Sequence, residues 1–141
     1  MELTQGTEYA IRGAVFLSKL APGEVSFTRE MSKRLRIPPT FLAKLLTSLA
    51  RAGIVESHRG AGGGYRLAGR ADKIRLLSVI EAVEGPLALT RCLKAAPSCK
   101  HTKACNLKKI FQTAQDSITE VLDGVTLADL ADETDNQHNH K

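Results

Sequence analysis

Three cysteines, Cys92, Cys99 and Cys105, fall within fourteen positions of a 141-residue chain that has no others. Six residues separate the first two and five the second pair, which is not the closely paired spacing of a zinc ribbon. Three thiolates gathered by a loop and a helix start suit an iron-sulfur cluster, with the remaining iron position left to another group. Arg91, Lys94, Lys100, Lys103, Lys108 and Lys109 surround them without an acid between positions 91 and 109. Such a basic collar favours thiolate over thiol and offsets cluster charge. Zinc, or cysteines that bind no metal and act in redox chemistry or not at all, are the other readings of the spacing. An odd count in a chain whose first residues, Met1-Glu2-Leu3-Thr4-Gln5, lack a signal-peptide profile argues against a disulfide framework.

The remaining charge is segregated. From Ser26 to Arg70 nine bases (Arg29, Lys33, Arg34, Arg36, Lys44, Arg51, Arg59, Arg66, Arg70) face two acids (Glu30, Glu56), a balance of +7 within a chain of +5. From Asp116 to Asp135 there are seven acids and no base. A basic front and an acidic end point to a polyanionic partner. Aromatics are 4% of the chain and Trp is absent, which disfavours single-strand binding by base stacking and leaves duplex DNA. No apolar run approaches the ~18 to 20 residues of a membrane span, so a soluble cytoplasmic protein is expected. With 43% apolar residues the length fits one globular domain and an appended element.

The elements that must position these groups are legible in turn. Tyr9, Ala10, Gly13, Ala14, Phe16, Leu17 and Leu20 recur at helical spacing, predicting a first helix capped by Thr4 or Thr7 and stopped by Pro22-Gly23. Ser26 is the expected N-cap of a second helix, Phe27 to Leu35, followed by the turn Arg36-Ile37-Pro38. Pro39 suits the first position of a third helix, which runs to about Ala52 with Gly53 as its stop. Phe41, Leu42, Leu45, Leu46 and Leu49 form its apolar stripe; Thr40, Ala43, Lys44, Thr47, Ser48 and Arg51 form a small, polar and basic face. Two helices joined by three residues, the second with a hydrogen-bonding basic face, make the helix-turn-helix pattern.

Next come two strand-like runs, Ile54 to His58 and Tyr65 to Leu67, around the turn-rich Arg59-Gly60-Ala61-Gly62-Gly63-Gly64. A hairpin after a helix-turn-helix is a wing, whose glycines, Gly62 among them, allow close approach to a DNA strand while Arg59 and Arg66 supply charge. A dinucleotide loop fails on detail, because Tyr65 occupies the third glycine position, and no Gly-Lys-Ser/Thr follows.

A fourth helix, Leu76 to Glu84, ends at Gly85-Pro86. From about Cys105 a long helix carries Leu107, Ile110, Phe111, Ala114, Ile118, Val121 and Leu122, the most regular stripe in the chain, which serves dimerisation or packing within its own chain. Asp123-Gly124 ends it; Thr126 with Asp129 resembles a capping box for a last short turn. The expected fold is mainly α (α+β), a winged helix-turn-helix domain with a long C-terminal dimerisation helix. Its divisions are 1–84 for DNA binding, 85–106 for the cysteine-bearing loop, 107–130 for the dimerisation helix and short terminal helix, and 131–141 as a disordered tail.

The helix-turn-helix, the wing motif His58-Arg59-Gly60-Ala61-Gly62-Gly63-Gly64-Tyr65-Arg66-Leu67, the run Val79-Ile80-Glu81-Ala82-Val83-Glu84-Gly85-Pro86 and the three later cysteines together resemble the Rrf2 family of bacterial transcriptional regulators. The resemblance covers roughly residues 1 to 130. It implies a homodimeric winged-helix regulator with a long crossing helix and an iron-sulfur cluster, 2Fe-2S or 4Fe-4S, that senses iron or cluster supply, nitric oxide or redox state. By the same resemblance Cys92, Cys99 and Cys105 are the metal ligands, Pro39 to Ala52 is the recognition helix, and Arg59 is a wing residue aimed at the minor groove. The chain departs from the family at Ala61, where many relatives have Pro, and in the six residues between its first cysteines, where several have five. Lys108 stands where one branch places a histidine ligand. An acidic residue of the partner's first helix completes the site in another branch, which makes Glu8 a candidate fourth ligand; His101, inside the loop, is the other.

The function so implied is regulation of transcription, as a repressor, through a roughly palindromic double-stranded operator. Lys44, Arg51, Arg59 and Arg66 supply charge, while Thr28, Pro39, Thr40, Thr47, Ser48 and Gly62 complete the expected DNA-contacting set. The exposed recognition face has few of the side chains that read base edges in pairs, which shifts weight to the wing and to DNA shape. An iron-sulfur oxidoreductase subunit is the weakest reading, since the sequence offers no nucleophile-base motif and few histidines. The chain is expected not to be an enzyme.

Overall fold

The computed structural model describes residues 3–58, 64–90, 93 and 106–138, with side chains described as far as residue 132. Arg59, Gly62, Cys92, Cys99, His101 and Cys105 lie outside the described residues.

Helix α1, Gln5–Ser18, starts where Thr4 Oγ1 accepts the Thr7 N–H at 3.3 Å, so Thr4 is the cap. It buries Gly6, Thr7, Ala10, Gly13, Ala14 and Leu17, a face of small residues that admits its neighbours closely. Strand β1 is Ser26–Phe27, and helix α2 is Thr28–Leu35. This corrects the expected cap: Phe27 holds the N-cap position without a side-chain bond. Ser26 is paired to Tyr65 in the sheet, 3% exposed, with its hydroxyl unpartnered among the described residues. Sheet pairing and burial outweigh the single hydrogen bond that a cap would add.

Helix α3, Pro39–Arg51, has Pro at its first position and buries Leu42, Leu45, Leu46 and Leu49, as the stripe predicts. Gly53 follows at φ 75°, where a side chain is strained, and turns the chain into strand β2, Val55–His58. Strand β3, Gly64–Leu67, lies between β1 and β2, antiparallel to both. Gly64 is required by close approach, since a Cβ there would lie 2.9 Å from Val25 Cγ2.

A single turn of 3-10 helix, Ala71–Lys73, leads to helix α4, Leu76–Glu84, whose Val79 and Ile80 enter the core. One cluster of buried apolar residues joins α1, α2, α3, β2, α4 and Leu127. Helix α5, Asn106–Asp123, buries none of its residues, and Leu107, Ile110, Phe111 and Val121 are exposed on it.

After α5 the chain returns to the domain. Leu76 N–H donates to Val125 O at 2.8 Å, Leu127 N–H donates to Ile74 O at 3.0 Å, and Arg75 and Thr126 form a β-bridge. Helix α6, Leu127–His138, is longer than the expected short turn and includes residues 131–138 of the stretch expected to be disordered. The cause is at its start: Thr126 N–H donates to Asp129 Oδ2 at 2.9 Å and Asp129 N–H donates to Thr126 Oγ1 at 3.2 Å, a reciprocal capping box. Acids near that end complement the helix dipole, and no Gly or Pro interrupts residues 127–138.

Candidate nucleic-acid interface

Helix α3 turns its charged side outward. Pro39, Thr40, Ala43, Lys44, Thr47 and Arg51 are exposed and Ser48 is half-buried, while the four leucines hold the helix down. Thr47 Oγ1 donates to Ala43 O at 2.9 Å and Ser48 Oγ donates to Lys44 O at 3.3 Å. In this rotamer both hydroxyls offer only lone pairs outward; donating to a phosphate requires them to swing off the helix. Thr28, half-buried, opens α2, whose first-turn N–H groups are suited to an anion.

The hairpin strands position the base of the wing. Glu56 pairs with Arg66 across the ladder and His58 with Gly64, so Glu56, His58 and Arg66 share one sheet face. Arg66 Nε donates to Glu56 Oε1 at 2.5 Å, and His58 Nε2 lies 3.3 Å from the same oxygen. The hydrogen bond from Arg66, and then that from His58, hold the Glu56 carboxyl below the ordinary carboxylate range. Arg66 is thus not a free cation, as its residue type alone implies, but one half of a half-exposed pair. Residue type alone marks Glu56 only as an acid; its alternation with His58 and its position across the hairpin from Arg66 are the sequence signal of the pairing.

A second site that sequence reasoning missed joins α1 to α4. Glu84 Oε1 accepts the Thr4 N–H at 3.0 Å, the Thr4 hydroxyl at 2.7 Å and the hydroxyl of fully buried Thr7. These bonds, that of Thr7 foremost, hold its carboxyl below the ordinary range. An acid in the last turn of a helix runs against the dipole, and that anomaly was visible in the sequence before Gly85-Pro86. Here the carboxylate caps the start of α1 instead.

Glu8 is exposed in the first turn of α1, open to a ligand or a second chain. Among the described residues no group of three His, Cys, Asp or Glu could hold a metal ion. The donor set of the candidate metal centre therefore rests on its chemistry, three soft thiol ligands in a basic segment. No helix among the described residues is long and apolar enough to cross a membrane.

Three solved structures and one family model match this architecture. CymR (YrzC), the global cysteine regulator of B. subtilis, superposes with a TM-score of 0.76 at 26% identity over 94% of this chain and 98% of its own. IscR from T. potens does so with a TM-score of 0.74 at 25% identity over 95% and 88%. The oxidized form of Staphylococcus aureus CymR, 24% identical over 93% and 96% with a TM-score of 0.73, shares the fold. The family model for Rrf2, described as an iron-dependent transcriptional regulator, matches residues 3–133. With helix-turn-helix, three-stranded wing sheet and long α5 all in place, the chain belongs to the Rrf2 family of transcriptional regulators and is not an enzyme.

Proposed function

We propose that this protein is a cytoplasmic, homodimeric repressor whose hold on a roughly palindromic operator is set by an iron-sulfur cluster. The observation that carries the DNA half is the outward face of α3, Thr40, Lys44, Thr47 and Arg51 in one line, beside a wing base that presents Arg66. Lys44, Arg51 and Arg59 neutralise phosphates, with Arg66 beside them; Thr28, Pro39, Thr40, Thr47, Ser48 and the Gly62 backbone fix the register. Two copies pair through the exposed stripe of α5 and so space two recognition helices for two half-sites.

Cys92, Cys99 and Cys105 would hold the cluster, with the partner subunit's Glu8, or His101 within the cysteine loop, as the fourth ligand. When bound, the cluster supplies a site whose gain, loss or reaction with nitric oxide or oxidant registers the signal. A difference of about 1.4 kcal/mol between the two states of the dimer changes operator affinity tenfold. The divisions that serve this mechanism are a DNA-reading unit over 1–84, the cysteine loop over 85–106 and the pairing helix from 107 onward.

The likeness to CymR, a protein also solved in an oxidized form, favours a second reading, in which the same cysteines carry no cluster and respond directly to thiol oxidation. Anaerobic reconstitution with iron and sulfide separates the two. A coloured protein whose visible absorption is lost in Cys99→Ser supports the cluster; a colourless, iron-free protein whose DNA binding responds to a thiol oxidant supports the second reading. For DNA, a duplex selected from a random library against the full chain should shift at low salt, and Arg59→Ala should weaken the shift. Absence of any shift would sink the DNA assignment under both readings.

A further inference from the structure

Arg36 is the one residue other than glycine among the described residues with a left-handed backbone, at φ 56° and ψ 44°. Glycine is what that conformation favours, because a Cβ crowds the following carbonyl. The turn does not depend on the arginine side chain to hold its shape. Arg36 and Ile37 N–H both donate to Ser32 O, the Ser32 hydroxyl donates to Ile37 O at 2.6 Å, and Ile37 is 2% exposed. Nor is a cation needed to cover the end of α2, since Arg12 Nη2 already donates to Leu35 O at 2.7 Å. Arg36 itself is exposed, and its guanidinium makes no hydrogen bond or ion pair with a described residue. A strained position that retains a long cation with no internal partner is best explained by something outside the chain.

We infer that Arg36 is a phosphate-binding residue of the DNA interface, held by the left-handed turn at the N-terminal end of α3. This rests on the reading of α3 as the recognition helix. Two residues, Ile37 and Pro38, lie between Arg36 and Pro39, the first residue of that helix, so three chain steps join them. Their Cα atoms are therefore within roughly 11 Å of each other, the most that three extended residues can span. With α3 in a major groove about 12 Å wide, that distance brings the turn to the groove wall, where the phosphates are. A planar guanidinium pairs with two phosphate oxygens at once, which a shorter or uncharged side chain cannot do.

The test measures affinity of the full chain for a fluorescein-labelled 30-base-pair duplex of mixed sequence, across salt, together with thermal melting. Arg36→Gly is expected to melt roughly 2 to 4 °C above the wild type, because glycine relieves the turn. It should bind roughly three- to tenfold more weakly, with the slope of log affinity against log salt reduced by about 0.9 for each Arg36 that touches DNA. Arg36→Lys should keep most of the slope. Unchanged affinity and slope in a folded Arg36→Gly overturns the inference, as does a loss of slope in Arg36→Lys equal to that in Arg36→Gly. An equal loss in Lys73→Ala also overturns it, by showing that the slope reads net charge and not contact. If the wild type binds no duplex at low salt, the reading of α3 falls as well, which is a different result from a variant that matches a binding wild type.

Discussion

Residues 3–84 and helix α5 solve the burial problem in opposite ways. In the first region every helix sends apolar side chains into one cluster, with Leu46, Leu49, Val79 and Met31 wholly enclosed. Helix α5 is equally amphipathic but leaves Ile110 61% and Val121 67% exposed. The same sequence signal, apolar residues every three to four positions, thus has two meanings. Where several such helices follow one another the stripe marks a core completed within the chain; in α5 it leaves apolar side chains exposed, the surface through which the proposed pairing would run.

The largest way to sharpen that contrast is Leu46→Ala, which should lower unfolding free energy by about 2 to 5 kcal/mol in denaturant titration. Ile110→Asp should leave chemical stability extrapolated to the monomer nearly unchanged and instead halve the mass seen by sedimentation. Cooperative unfolding that suffers as much from Ile110→Asp as from Leu46→Ala breaks the comparison.

Glu84→Ala comes next, with a loss of about 1 to 3 kcal/mol because the buried Thr7 hydroxyl is left short of its acceptor. The Glu84 pKa is depressed on folding, so its contribution is present above the unfolded value near 4.5 and is lost as pH falls through the folded value. Melting temperature of the wild type should therefore drop below about pH 4.5 more steeply than that of Glu84→Gln. Asp129→Ala, which opens the capping box, should lower the melting temperature slightly and loosen α6 first, as read by hydrogen exchange. The smallest effect is that of Glu56→Gln. It should leave the melting temperature nearly unchanged while strengthening DNA binding, since it removes a negative charge paired to Arg66. Weaker binding would show instead that Glu56 aims Arg66.

How much of this was legible in the sequence follows the same division. The two faces of α3, the stop at Gly53, the hairpin and the stripe of α5 are periodic or steric signals, and each reappears in the structure within a residue or two. Ser26 departs from the expected cap because its role is set by Tyr65, thirty-nine positions away, and not by the helix beside it. The length of α6 exceeds the expectation because an acidic, polar stretch resembles disorder until its first turn is anchored by Leu127 in the core. Of the candidate site, residue types on one helix were readable; pairings across strands and between helices, Glu56 with Arg66 and Glu84 with Thr7, required the third dimension.

The backbone clasp between residues 74–76 and 125–127 fixes one end of α5 to the DNA-reading core. Its other end, Asn106, follows directly on Cys105. Eighteen residues of helix make an arm of about 27 Å. The clasp therefore makes α5 continuous with the start of α4, so that one helix spans the distance in the chain between the cysteine segment and the core.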